Sequence, residues 1–203
     1  MSEIRHIVFD VGRVLIHYDP ELPYRQLIPD AARRRWFLDH VCTGAWNVEQ
    51  DRGRDWAEAE ALLIARHPDE ADNIRAFRRH WHEMVPHAYA DSVAVMAALI
   101  DAGHDVTLLT NFARDTFAEA RQRFAFLDAA RGATVSGEVG LIKPQRQIYV
   151  RHAEAFGLQP AATLFIDDSP ANVEGARGAG WQAVLFEDAG GLRRSLSAVG
   201  IAA

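Results

Sequence analysis

The chain has 203 residues and a single cysteine, Cys42. One thiol excludes an internal disulfide and a cysteine-based zinc site, and it suits a reducing cytoplasm. With no partner pattern around it, Cys42 reads as a small apolar residue. Long apolar runs are lacking too. None approaches the roughly 18 residues that a membrane-spanning helix needs, so no membrane partner is expected. Arg5, His6 and Asp10 interrupt any apolar core near the N-terminus, so no signal peptide is expected there. Basic charge is in deficit: 22 Lys and Arg face 28 Asp and Glu, for a net charge of −6. An acidic balance argues against nucleic acid or anionic lipid as a partner. The one basic cluster, Arg33-Arg34-Arg35, lies in a helical pattern with Trp36, Phe37 and Leu38, which predicts a solvated helix face. Repeats and low-complexity tracts are absent. Nothing in the sequence speaks to oligomeric state.

What is present is an alternation of short apolar runs with amphipathic stretches. Ile7-Val8-Phe9 is a β-branched and aromatic run, read as a strand buried on both faces and ending on Asp10, with Gly12 two residues later. After Val14-Leu15-Ile16, the polar turn His17-Tyr18-Asp19-Pro20 leaves the sheet. From there to about Pro86 the pattern is helical and no strand run occurs. Pro29-Asp30 opens one helix, and Asp55 with Glu58 caps another over Trp56 to His67. Asp69 to Met84 places Ile74, Phe77, Trp81 and Met84 or Val85 at spacings of three and four, an apolar stripe along one helix face. His80 and His82 fall to its flanks and are read as exposed. Beyond Pro86, strands at 106–109, 133–136, 163–166 and 183–186 alternate with helices at 92–102, 112–124, 144–156, 171–179 and 191–198. Pro144 and Pro170 are assigned to first-turn positions, and Ser169 to a capping one. Such alternation predicts an α/β fold: a Rossmann-like parallel five-stranded core sheet with helices on both faces. Residues 17–87 then form a small all-helical insertion after the first strand.

Polar residues stand at three of the strand ends: Asp10, Thr110-Asn111 and Asp167-Asp168. Lys143 lies in the loop before a helix. In a parallel sheet these ends share one rim, where ligands bind. Three converging carboxylates raise one another's pKa unless cations offset them, and one lysine is too few. A divalent ion with oxygen ligands supplies the remainder, and carboxylates without clustered cysteine or histidine suggest Mg²⁺. The backbone carbonyl of Gly12 is a further candidate ligand.

Phe-Asp10-Val-Gly12-Arg-Val-Leu, Leu-Leu-Thr110-Asn111, Lys143-Pro144 and Phe-Ile-Asp167-Asp168-Ser-Pro-Ala-Asn172 resemble, in order, the four motifs of the haloacid dehalogenase superfamily. The segment from Cys42 through Trp46-Asn47 and Gln50 to Gly53 resembles a bacterial phosphatase-like subgroup with a helical C1-type cap, similar to sugar-1-phosphate phosphatases. The resemblance implies a core domain of residues 1–16 and 88–203 and a helical cap domain of residues 17–87. It implies a Mg²⁺-dependent phosphatase for a small phosphate ester, with a sugar phosphate the expected class. Asp10 would be the nucleophile that forms an aspartyl-phosphate, and Thr110 with the Asn111 amide would hold phosphoryl oxygens. Lys143 would neutralise charge. Asp10, Gly12, Asp167 and Asp168 would hold the metal, with Asn172 in a supporting place. Arg13, His17, Trp46, Asn47, Phe112 and Arg114 are the candidate substrate contacts.

One position departs from that pattern. Phosphatases of the superfamily usually carry a second aspartate two residues after the nucleophile, as general acid and base. Here it is Gly12. Such help is typically worth about 10²–10⁴-fold, so slow turnover or a preference for good leaving groups is expected. His17 and Asp19 are candidate substitutes. Two rival readings stay open. One is metal-free 2-haloacid dehalogenation by the same aspartate, disfavoured by adjacent carboxylates at Asp167 and Asp168. The other is a phospho-ligand scaffold of negligible turnover, which only Gly12 favours.

Overall fold

The computed structural model describes residues 3–202. Five parallel strands form one sheet: β1 (His6–Phe9), β2 (Asp105–Thr110), β3 (Ala133–Val135), β4 (Thr163–Asp167) and β5 (Gln182–Leu185). Their spatial order is β3-β2-β1-β4-β5, so the chain steps outward from β1 in one direction and then returns to continue on its other side. β1 is central because Ile7, Val8 and Phe9 have no polar face to show and are fully buried. Phe9 pairs with Leu108 on one side and Ile166 on the other. In-register parallel pairing therefore sets Asp10 beside Asp167 at the carboxyl ends of adjacent strands. That place is the point where the strand order reverses, the usual ligand crevice of an open α/β sheet.

Between β1 and β2 the chain builds helices alone: α1 (Glu21–Leu27), α2 (Ala31–His40), α3 (Gly44–Asp51), α4 (Trp56–Arg66), α5 (Ala71–Arg79), α6 (Trp81–Met84) and α7 (Ala90–Asp101). Asp30, Thr43 and Asp55 cap α2, α3 and α4 through their side chains. The remaining helices are α8 (Arg114–Arg123), α9 (Ser136–Val139), α10 (Arg146–Phe156), α11 (Pro170–Gly178) and α12 (Ala189–Ala198). The stretches entering and leaving the helical segment run side by side. His17 N–H donates to the His87 carbonyl (2.9 Å), Asp19 N–H to Met84 (2.9 Å) and Tyr89 N–H to Leu15 (2.8 Å). Apolar packing runs without interruption from Tyr24, Phe37, Phe77 and Trp81 into the sheet at Val14, Ile16 and Phe112. Cys42 is buried among these residues, as a small apolar side chain should be.

Several local expectations give way. The helix expected over Asp69–Met84 is broken at His80, although Ile74, Phe77, Trp81 and Met84 are all buried. A continuous stripe and a broken helix present the same spacing, so the pattern could not distinguish them. Arg34 does not lie on a solvated face. It is buried, and its guanidinium donates to Glu21 Oε1 (2.8 Å) and the Ile28 carbonyl (2.9 Å), while Arg33 pairs with Glu70. Pro144 is outside α10, because both backbone groups of Lys143 are held by the Asn111 amide, which draws the Lys143-Pro144 unit off the helix axis. Ser136 ends no strand. It begins α9, since its hydroxyl is taken by the Asp51 carbonyl and by Phe112 N–H (2.8 Å). The helix expected from Phe112 starts at Arg114 for the same reason. Ser169 stands at the N-cap of α11, but its side chain makes no capping bond.

Candidate active site

Three carboxylates and one ammonium meet at the crevice. Asp10, Asp167 and Asp168 each offer an oxygen within 4.8 Å of the others'. Lys143 Nζ lies 2.8 Å from Asp10 Oδ1 and 2.7 Å from Asp167 Oδ2. Lys143 is 3 % exposed and Asp167 wholly buried, so this is a desolvated triad rather than a surface pair. Burial works against the ammonium, yet the two carboxylates prevail and raise its pKa. Burial pushes Asp10 up to about 7, against the pull of Lys143 and with a further push from Asp167. Asp168, half-buried, is raised by the same two causes, burial and Asp167.

The three acids are not equivalent. Asp167 is saturated: Oδ2 receives Lys143, and Oδ1 accepts from Ser169 N–H (2.8 Å) and Asn172 Nδ2 (3.0 Å). Asp10 is fixed by Val11 N–H (2.7 Å to Oδ1) and Lys143. Three carboxylates against one ammonium leave two formal negative charges at the rim. An all-oxygen donor set of that charge fits a hard divalent cation such as Mg²⁺. Thr110 is buried at the end of β2. Asn111 grips Lys143 from both sides, its Oδ1 accepting from Lys143 N–H (2.9 Å) and its Nδ2 donating to the Lys143 carbonyl (3.1 Å).

A cavity of about 80 Å³ adjoins this cluster. Gly12 and Asn111 line it together with Tyr18, Asn47, Asp51, Trp56, Trp81 and Phe112. Of the proposed substrate contacts, Asn47 and Phe112 line this space. Trp46 instead packs edge-on against Trp56 and Phe77, and Arg114 faces a separate depression with Asp55 and Gln50. Arg13 is exposed, sits at φ 60°, and opens onto a different depression beside Tyr89, Ser92 and Phe186. That left-handed backbone is costly without a glycine, by about 1–2 kcal/mol. Arg13 N–H donating to the Ile16 carbonyl (2.7 Å) holds it there. His17 stacks on His87 (5.0 Å between centroids) and contacts the Tyr89 hydroxyl (3.0 Å). Asp19 is occupied at the start of α1, accepting from Glu21 N–H (2.8 Å). Sequence reasoning passed over Asp51 and Tyr18. The only available signal for Asp51 was its place in the Cys42–Gly53 segment, beside residues already singled out.

A family model described as a haloacid dehalogenase-like hydrolase matches residues 4–180. Over 117 residues the chain is 32 % identical to a Mycobacterium tuberculosis protein named as a phosphatase. That match takes in 55 % of this chain and 54 % of the other, so the chain spans about half the length of this curated relative. Among solved structures, a HAD-like family hydrolase from Porphyromonas gingivalis superposes with a TM-score of 0.75 at 20 % identity, covering 98 % of both chains. A HAD family enzyme from Bacteroides thetaiotaomicron, in complex with magnesium and inorganic phosphate, gives 0.69 at 20 % identity over 91 % of this chain and 94 % of that one. The L-2-haloacid dehalogenase of Xanthobacter autotrophicus, with chloropropionic acid covalently bound, gives 0.67 at 18 % identity over 98 % and 85 %. Likeness at these identities speaks for the fold and not for the reaction.

Proposed function

Because this chain belongs to the haloacid dehalogenase-like hydrolases, we propose that it is a Mg²⁺-dependent phosphatase for a small phosphorylated metabolite, with sugar phosphates the first candidates. The observation that carries this reading is the trio of carboxylates around a single buried ammonium. A metal-free attack on carbon has no need of two further acids beside the nucleophile, whereas phosphoryl transfer to a carboxylate needs cations that offset charge on the transferring group. The relative named as a phosphatase supports the same side.

In this reading Asp10 attacks phosphorus, its oxygen aligned by Val11 N–H and Lys143. The phosphoryl oxygens are received by the Thr110 hydroxyl and the Asn111 N–H at the end of β2. Asp167 positions Lys143, and Asn172 and Ser169 N–H position Asp167. Asp10, Asp168 and the Gly12 carbonyl would hold Mg²⁺, with Asp167 beside them, and the ion would stabilise charge developing on the phosphoryl group. Residues 17–87 act as a cap that encloses the leaving group, with Asn47 and Phe112 as contacts, over a core of residues 1–16 and 88–203. No described helix is long and apolar enough to cross a membrane, and a cytoplasmic phosphatase is the setting that fits the single buried cysteine.

The test is phosphate release from p-nitrophenyl phosphate and a panel of sugar phosphates with and without Mg²⁺, beside halide release from 2-chloropropionate. Phosphate release that needs Mg²⁺ and is lost in Asp10→Asn is the expected result. Halide release without metal would overturn it in favour of the dehalogenase.

A further inference from the structure

Gly12 leaves the nucleophile without the neighbouring acid that an alcohol leaving group requires. A Cβ at Gly12 would meet nothing within 4 Å, so the space that acid would occupy is open. Gly12 and Asp51, the last residue of α3, line one and the same cavity. Among the described residues Asp51 forms no ion pair. Its carboxyl accepts from Asn47 Nδ2 (3.1 Å) and from Ala113 N–H, and burial pushes it up to about 7. The titratable side chain that shares its cavity is the Tyr18 phenol, itself raised by burial and by Asp51 and so a poor acid. Neighbouring cations turn away. Arg54 binds Gln50 and the Trp46 carbonyl, and Arg52 reaches Glu49 and Gln145. The backbone that delivers Asp51 is anchored to the other half of the molecule: its carbonyl receives the Ser136 hydroxyl, and Gly53 runs against Gly137.

We propose that Asp51 supplies from the helical segment the general acid and base that position 12 lacks. The assignment rests on the phosphatase reading above. In the first step the protonated Asp51 carboxyl gives its proton to the ester oxygen as the bond from phosphorus to that oxygen breaks and the bond from Asp10 to phosphorus forms. The alcohol leaves neutral. In the second step the Asp51 carboxylate takes a proton from the water that attacks phosphorus, the bond to Asp10 breaks, and phosphate departs with both acids restored. His17 and Asp19 have other partners, at Tyr89 and at the start of α1.

The experiment compares an alkyl ester, glycerol phosphate, with 2,4-dinitrophenyl phosphate, whose leaving group needs no proton, in saturating Mg²⁺. Asp51→Asn keeps the size and the acceptor for Ala113 N–H. It is expected to slow the first turnover of the alkyl ester about 100-fold or more, and the dinitrophenolate burst less than about 3-fold, with slow turnover after the burst. Wild-type enzyme is expected to lose alkyl-ester activity along a basic limb that the burst lacks, a readout independent of how well the variant folds. Gly12→Asp in the Asp51→Asn background is expected to restore at least about tenfold of the alkyl-ester rate, because the added carboxyl enters the same cavity. Equal losses on both esters, a shared basic limb, or no rescue would each overturn the assignment and mark Asp51 as a packing residue. Should the wild type release no phosphate from the dinitrophenyl ester, the phosphatase reading fails and takes this assignment with it.

Discussion

Lys143 is 3 % exposed and faces two carboxylates at hydrogen-bonding distance, so among the described residues its ammonium is the cation paired with both Asp10 and Asp167. Lys143→Met would fill a similar volume and leave two buried acids unpaired. At neutral pH the variant is expected to lose about 3 kcal/mol of stability, since breaking a buried pair strands its partner charge. Phosphate release is expected to fall to background, and calorimetric unfolding with a parallel activity assay checks both. Mild acid should recover part of the stability loss, because protonating Asp10 removes the unpaired charge. This residue was legible in the sequence. So were Asp10, Asp167 and Asp168, because chemistry demands those side-chain types at strand ends. Asp51 was not, since an acid at the end of an amphipathic helix has the same pattern whether it faces solvent or a cavity.

The elements that complete the site meet through close backbone approach rather than through side-chain pattern. α9 presses against the loop before α8, where a Cβ on Gly137 would come within 2.8 Å of both Arg114 N and the Phe112 carbonyl. Gly53, at φ 113°, meets Gly137 from the other side. Gly137→Ala therefore has to displace the loop that carries Phe112 and Ala113, and with it the N–H that Asp51 accepts. Overpacking of this kind is expected to cost about 1–3 kcal/mol. Activity should fall further than stability alone explains, read as kcat/KM measured well below the melting temperature. The same tier explains the local corrections. The start of α9 at Ser136 and the removal of Pro144 from α10 both depend on partners distant in sequence, Asp51 and Asn111 respectively.

At the scale of the whole molecule, two buried groups couple stability to pH in opposite directions. His152 sits between Thr107 and Thr134, at 2.9 and 2.8 Å, and burial lowers its pKa to about 3. The unfolded chain then binds the extra proton between about pH 6.5 and pH 3, so His152 costs stability as pH falls through that window. Asp10 is raised to about 7, so the folded state binds the extra proton between about pH 4 and pH 7, and its contribution is lost as pH rises. Mg²⁺ held by the carboxylates competes with that proton. The rise in melting temperature on adding Mg²⁺ is therefore expected to be larger at about pH 8 than at about pH 5, and scanning fluorimetry at the two values measures it. An equal rise at both would count against Asp10 as a ligand.

Taken alone, the sequence determined the strand count, the parallel sheet, the helical stretch after the first strand and the identity of the acids and lysine at the rim. Each of these follows from local periodicity or from residue types that chemistry requires. Tertiary structure alone decided that Asp10 and Asp167 share Lys143, which side chains turn away from the cavity beside Gly12, and that Asp51 lines it. Those facts depend on strand order, register and the docking of α3 against α9. Contacts between positions far apart in the chain leave no mark on the spacing of either segment.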